Sequence, residues 1–99
     1  MKTIHMQSIM TKHQTDEAAR SFCGGLEQFL DGVGQALTDA RYPAAAEGAA
    51  MLRSQADELC LHDLAEAAAA LELAANAGNA IACSVHYGAL RRHAREHIG

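Results

Sequence analysis

Apolar side chains recur every three or four residues along most of this chain, which is the period of an α-helix. The first such stripe predicts a long helix over about residues 16–40, with Thr15 or Asp16 as its N-cap. Glycines inside this helix indicate either close helix contacts or a bend, because glycine has low helix propensity. The stripe consists of Phe22, Leu26, Phe29, Val33 and Leu37, and the glycines are Gly24, Gly25, Gly32 and Gly34.

Three further helices follow the first. Pro43 suits the first turn of a second helix that runs to about Leu59. The third helix follows the connection 60–63 and ends at Gly78, a common C-terminal residue, and Asn79 then caps a fourth helix that runs to about His97. The predicted apolar sets are Ala45, Ala49, Leu52, Ala56 and Leu59 for the second helix, Leu64, Ala68, Leu71 and Ala75 for the third, and Ile81, Val85, Tyr87, Leu90 and Ala94 for the fourth.

The connections between these helices are short, so consecutive helices must be antiparallel neighbours. The sequence therefore predicts an all-α protein, an antiparallel up-down four-helix bundle over residues 15–99. A length of 99 residues suits one domain with one core. Residues 1–14 form an N-terminal lead, in which Ile4, Met6, Ile9 and Met10 could support a short helix across the bundle end.

Composition refines this picture. Apolar residues make up 49% of the chain, much of it alanine, and aromatic residues only 4%, which favours closely packed helices. The net charge of −4 argues against nucleic-acid binding, despite the cluster of Arg91, Arg92 and Arg95. No stretch is apolar enough for a membrane span or a signal peptide, so we expect a cytoplasmic protein without membrane contact.

Catalytic and metal-binding patterns are weak. The three cysteines are far apart, which indicates free thiols in a reducing compartment rather than a disulfide framework or a zinc site. His93 and His97 have the i, i+4 spacing of metal ligands, but the pattern supplies no third ligand. No serine, cysteine or carboxylate pair has a recognisable catalytic context. The sequence therefore predicts no enzyme activity, no metal and no cofactor.

The second and third helices resemble the histidine-containing phosphotransfer (HPt) family of bacterial phosphorelays. That family has the motif A-H-x-L-K-G-S, followed one helix later by L-E-x-A-A-x-x-G-D. This chain reads AAMLRSQ over residues 49–55 and LELAANAGN over residues 71–79. The resemblance covers about residues 16–97, and it implies a four-helix bundle that contacts a response-regulator receiver domain or a histidine kinase.

The departures from the family motif change the expected chemistry. Ala50 stands at the phosphoacceptor position, Arg53 at the lysine and Ser54 at the glycine. A methyl group has no lone pair and cannot accept a phosphoryl group, whereas a guanidinium can still pair with a partner's carboxylates. The expected function is therefore partner binding without phosphate transfer, so that the chain modulates a phosphorelay. The expected partner-binding residues are Glu47, Ala50, Met51, Arg53, Ser54 and Asp57 of the second helix, with Gln28, Asp31 and Gln35 of the first.

Two alternatives stay open. His62 and Leu64 echo the H-x-L of the family motif, so an active phosphotransfer protein could use His62 at the start of the third helix. The chain could also share only the fold and act as a homo-oligomerising scaffold or regulatory partner. An exposed apolar patch, for instance around Met51 and Leu61, would favour that second reading. On the leading hypothesis, Arg53→Glu weakens partner binding and substitution of His62 does not.

Overall fold

A computed structural model of the chain describes residue 22 and residues 24–98. This part contains four helices and no strand, and it is an all-α, up-down four-helix bundle. The helices are α1 (24–38), α2 (Tyr42–Glu58), α3 (His62–Asn76) and α4 (Ala80–Ile98). The lead 1–14 and the predicted caps Thr15 and Asp16 lie outside the described residues. None of the described helices combines the length and apolar character that crossing a membrane requires.

All three connections between the helices use one turn geometry. At each helix end one residue adopts a positive φ, namely 58° at Ala40, 59° at Cys60 and 65° at Gly78. The next residue donates its backbone N–H to a carbonyl five residues back, as Asn79 does to Ala74 at 3.0 Å. This is the Schellman arrangement, which pairs carbonyls that the helix end leaves free. A repeated three-residue turn thus sets the antiparallel order of the helices.

The predicted helix ends agree closely with the structure. Pro43 lies in the first turn of α2, and Gly78 follows the end of α3 in the left-handed region. The Asn79 side chain accepts a hydrogen bond from the backbone N–H of Ala82 at 3.1 Å, which confirms it as the cap of α4. Local signals of this kind act within one turn of helix, and for that reason they can be read from the sequence.

The core is one cluster of apolar side chains in which more than half of the buried residues are alanine. Small side chains let helix backbones approach closely, so the composition and the packing agree. The buried residues of α2 and α3 are Ala45, Ala46, Ala49, Leu52, Ala56, Leu64, Ala65, Ala68, Leu71, Ala74 and Ala75. From α1 and α4 the core receives Leu26, Leu30, Val33, Ala36, Cys83, Leu90 and Ala94.

The predicted apolar set of α4 is wrong at two positions. Ile81 is 80% exposed and Val85 is 63% exposed, whereas Cys83, Leu90 and Ala94 are buried. A residue two positions along an α-helix points about 200° away, because a turn holds about 3.6 residues. Ile81 and Val85 therefore lie opposite the buried face of α4, to which Cys83 belongs, and they project into solvent.

Two glycines meet neighbouring helices. A Cβ at Gly34 of α1 would collide with the Tyr87 hydroxyl of α4, and a Cβ at Gly48 of α2 would lie 3.0 Å from Val33 of α1. The other predicted helix glycines within the described residues, Gly24, Gly25 and Gly32, have open space around them. Close contact thus explains Gly34, while nothing in the structure explains the other three.

Candidate functional site

The α2 surface singled out by the resemblance faces two directions. Arg53 and Asp57 border a groove between α2 and α3, which we call the α2–α3 groove. Its lining residues are Arg53, Asp57, His62, Ala65, Glu66 and Ala69. Glu47, Met51 and Ser54 are exposed on α2 but do not line this groove, and Met51 is 54% exposed. The predicted residues of α2 therefore form a groove edge and a neighbouring outer surface.

Arg53 is held by an ion pair with α3. Its Nε donates a hydrogen bond to Oε1 of Glu72 at 3.1 Å, and both side chains are partly exposed. The two residues come from the two segments that carry the HPt resemblance, 49–55 and 71–79. A single ion pair that is exposed to water is weak, because solvent screens the charges and two long side chains lose conformational entropy. The guanidinium is thus oriented by Glu72 through a weak contact.

Ala50 is less accessible than the sequence suggests. The sequence places it at the centre of an exposed surface, whereas in the structure it is only partly exposed. The reason is the helical period, which puts Ala50 on the same side of α2 as Arg53 and Ala46, the side that borders α3. Position 50 therefore belongs to the margin of the α2–α3 contact.

The three predicted residues of α1 do not line the α2–α3 groove. Gln28, Asp31 and Gln35 are exposed, but the Asp31 carboxylate acts on Tyr87 of α4, where it adds to the rise in the pKa of the hydroxyl. Gln35 donates its amide to the Asp39 carboxylate at 3.2 and 3.3 Å. The groove between α1 and α2 has other lining residues, Phe22, Gly25, Leu26, Phe29, Leu52, Gln55, Glu58 and Leu59.

His62 lies closer to the predicted surface than sequence reasoning suggests. It is the first residue of α3, it is exposed, and it lines the α2–α3 groove with Arg53 and Asp57. The antiparallel turn at 59–61 brings the start of α3 alongside the end of α2. A substitution of His62 therefore changes the same groove as one of Arg53, and it is not a neutral control for partner binding.

Cys60, Cys83 and Tyr87 carry no sign of activation as nucleophiles. Burial raises the pKa of the Cys83 thiol, which favours the unreactive protonated form. Burial also raises the pKa of the Tyr87 hydroxyl; Arg91 opposes this rise and Asp31 adds to it. Cys60 is exposed at a positive φ in the α2–α3 turn. None of these groups sits beside a base within hydrogen-bond reach.

Sequence reasoning missed the exposed apolar surface of α3 and α4. Leu73 of α3 is 72% exposed, and Ile81 and Val85 of α4 are similarly exposed. The expected patch around Met51 and Leu61 is weaker, because Leu61 packs partly against the core. The signal that could have located the surface is the conflict within α4, whose apolar residues occupy two opposite faces.

Comparison with known proteins gives no match: no family model fits the chain, and no curated protein or solved structure is significantly similar to it.

Proposed function

We propose that this chain is a non-catalytic HPt-like signalling module. It binds the receiver domain of a response regulator, or a sensor kinase, and modulates a phosphorelay without carrying phosphate. The single observation that carries the proposal is the Arg53–Glu72 pair beside the half-buried Ala50. In this proposal Ala50 stands at the position of the family's phosphoacceptor, and Arg53 supplies a cation one helical turn away.

Arg53 supplies the attraction in this proposal. Receiver domains present carboxylates at their phosphorylation site, and a guanidinium pairs well with such groups. Glu72 holds Arg53 at the rim of the α2–α3 groove in the free protein. On binding, a partner carboxylate replaces Glu72 or joins it, and the small Ala50 lets a partner loop approach α2. Occupying the receiver in this way competes with a phosphotransfer protein that has its histidine.

Partner capture tests the surface. The tagged full chain is used as bait in a native lysate, and receiver domains or kinases that it retains are then purified and titrated against it. Arg53→Glu should weaken binding by about tenfold or more, because it sets a carboxylate against the partner's acidic pocket. Arg92→Glu is the matched control, since Arg92 is an exposed arginine of α4 outside the groove. Equal binding by both variants would contradict the assignment of the surface.

Glu72→Gln sharpens the same test. Removing the carboxylate frees the Arg53 side chain and should strengthen binding to an acidic pocket by a few-fold. Glu58→Gln is the control, because Glu58 is an exposed carboxylate on the opposite, α1 side of α2. Weaker binding by Glu72→Gln would mean that the partner recognises Glu72 itself and not the guanidinium.

Ala50→His tests the register of the resemblance. If position 50 corresponds to the phosphoacceptor, an imidazole there should take phosphate from a phosphorylated receiver partner, while the wild-type chain stays unlabelled. Phosphate on the wild-type chain that is lost with His62→Ala would instead establish His62 as the acceptor. That outcome would replace the proposal with an active phosphotransfer protein whose histidine lies in the α2–α3 groove.

The second candidate function is a homo-oligomerising scaffold that shares only the fold. Leu73, Ile81 and Val85 favour it, because three large apolar side chains exposed on adjacent helices are typical of interaction surfaces. Light scattering coupled to size exclusion distinguishes the two candidates. Oligomers that dissociate in Ile81→Asn or Val85→Asn, but not in Arg53→Glu, would favour the scaffold, and a monomer at all concentrations would count against it.

A further inference from the structure

We propose that the open end of the α3–α4 hairpin is a site for a divalent cation, with Asp63, His93 and Glu96 as ligands and Zn²⁺ as the best-fitting ion. Asp63 lies in the first turn of α3, and His93 and Glu96 lie near the C-terminal end of α4. One potential ligand atom from each of the three residues lies within 4.8 Å of the other two. This proposal is independent of the phosphorelay proposal, because it uses the side of α3 that faces α4.

His93 supplies the strongest reason. The side chain is 34% exposed, but its Nδ1 atom is turned inward and has no hydrogen-bond partner among the described residues. The nearest carboxylate oxygen, Oε2 of Glu96, is 3.7 Å away, which is too far for a hydrogen bond. Buried polar atoms are almost always satisfied, and a cation bound between this nitrogen and the neighbouring carboxylates would satisfy it.

The spacing suits a small divalent ion. Zinc binds imidazole nitrogen and carboxylate oxygen at about 2.0–2.2 Å, so neighbouring ligands of a tetrahedral ion lie about 3.4 Å apart. The Nδ1–Oε2 distance of 3.7 Å between His93 and Glu96 is already close to this value. Asp63 and Glu96 are exposed, so their side chains are free to rotate toward a bound ion. Three protein ligands leave a fourth position to water.

The ligand set also fits the chemistry of zinc. One neutral imidazole and two carboxylates supply the nitrogen and oxygen donors that this borderline ion accepts, and the two negative charges balance its own. A magnesium or calcium ion prefers oxygen donors alone. The ion would join the start of α3 to the end of α4, whose linking turn at 77–79 lies at the opposite end of the hairpin.

Calorimetry and thermal unfolding of the full chain with zinc chloride test the proposal. Zinc should bind and raise Tm by about 5 °C or more in the wild type, since a ligand that binds only the folded state stabilises it. Asp63→Asn, His93→Gln and Glu96→Gln should each weaken zinc affinity by about tenfold or more. His86→Gln is the matched control, because His86 is also partly buried on α4 but lies two turns away.

Nitrogen chemical shifts of the imidazole rings supply a second measurement that does not depend on stability. Zinc should shift Nδ1 of His93 and leave its Nε2 as the protonated nitrogen. Three results would overturn the proposal: no shift of Tm in the wild type, equal loss of affinity in His86→Gln, or coordination through Nε2. Circular dichroism of each variant without metal confirms that the substitutions leave the helices intact.

Discussion

The interface between α1 and α4 and the interface between α2 and α3 are held by different kinds of contact. In the first, the Tyr87 hydroxyl donates a hydrogen bond to the Leu30 carbonyl at 2.7 Å, and the Tyr87 ring fills the space beside Gly34. In the second, small apolar residues pack along both helices, and the Arg53–Glu72 pair lies at the edge that meets solvent. The first contact depends on individual residues and the second is shared among many.

This difference has a consequence for function. The charged residues at the α2–α3 edge can be substituted with little loss of stability, because an exposed ion pair contributes little to it. The α1–α4 interface is less tolerant, since a Cβ at position 34 would collide with the Tyr87 hydroxyl. Ala50 and Arg53, on which the proposed HPt-like function depends, lie at the α2–α3 interface.

Gly34→Ala should produce the largest effect, because it breaks the α1–α4 interface directly. The new Cβ would overlap the Tyr87 hydroxyl and ring, and overpacking of this kind costs about 1–3 kcal/mol. Alanine's helix propensity, worth at most about 1 kcal/mol over glycine, offsets only part of this. We expect a net loss of stability in urea unfolding.

Gly32→Ala is the control for that experiment. Gly32 lies in the same helix with open space around it, so alanine there should stabilise the protein by about 0.5–1 kcal/mol. A double-mutant cycle with Tyr87→Ala completes the test, because Gly34→Ala should become harmless once the ring is removed. If Gly34→Ala remains destabilising in that background, its cause is not the contact with Tyr87.

The sequence predicts this fold well for a physical reason. Helix period, Pro43, Gly78 and Asn79 are local signals, and the short turns leave few ways to arrange four helices. The prediction for α4 failed at Ile81 and Val85 because the buried face of that helix carries Cys83 and Ala94, which are weaker signals than the large residues opposite.

The contacts at the candidate sites, in contrast, cannot be predicted from the sequence. Arg53 with Glu72, Gly34 with Tyr87, and Asp63 with His93 are pairs formed between helices, so no spacing along the chain reveals them. Their geometry depends on how each helix rotates about its axis. Resemblance to a family supplied the α2 surface, and of the residues predicted with it, Gln28, Asp31 and Gln35 of α1 do not line the α2–α3 groove.

Tyr87→Phe should have the next largest effect. It removes the hydrogen bond to the Leu30 carbonyl while keeping the ring against Gly34, and we expect a loss of about 1 kcal/mol. Urea unfolding at neutral pH measures this. Tyr42→Phe is a suitable control, because Tyr42 is also partly buried, and no hydrogen bond of its hydroxyl contributes to the α1–α4 interface. A loss equal in both variants would contradict a special role for the Tyr87 hydroxyl.

The same hydroxyl makes the α1–α4 interface sensitive to alkaline pH. Burial raises the pKa of Tyr87 in the folded protein, so the folded state holds the proton more tightly than the unfolded state. The stabilisation that this difference in pKa provides is fully present below roughly pH 10, the ordinary pKa of tyrosine. It is lost as the pH rises through the pKa of Tyr87 in the folded protein. Burial also raises the pKa of the Cys83 thiol, so its ionisation likewise destabilises the folded state at alkaline pH. Tyr87→Phe should flatten the fall in Tm above about pH 10.

Cys60→Gly tests the turn that leads into the α2–α3 interface. Cys60 has a φ of 59°, a conformation that costs about 1–2 kcal/mol for most residues and little for glycine. Glycine also gives the unfolded chain more conformational entropy, which offsets part of this benefit. We therefore expect the free energy of unfolding to rise by about 0.5–1 kcal/mol. Ala77→Gly is the control, because Ala77 has a φ of −82° and should lose stability. A loss in Cys60→Gly would mean that its side chain stabilises the turn.

Removal of the Arg53–Glu72 ion pair should have the smallest effect on stability. A double-mutant cycle with Arg53→Ala and Glu72→Ala should give a coupling of about 0.2–1 kcal/mol that shrinks at high salt, because both side chains are partly exposed. Urea unfolding at low and at high sodium chloride measures it. A coupling well above this range would show that the pair is structural, and the α2–α3 interface would then resemble the α1–α4 interface. A small value means that a change in partner binding by Arg53→Glu reports on recognition and not on folding.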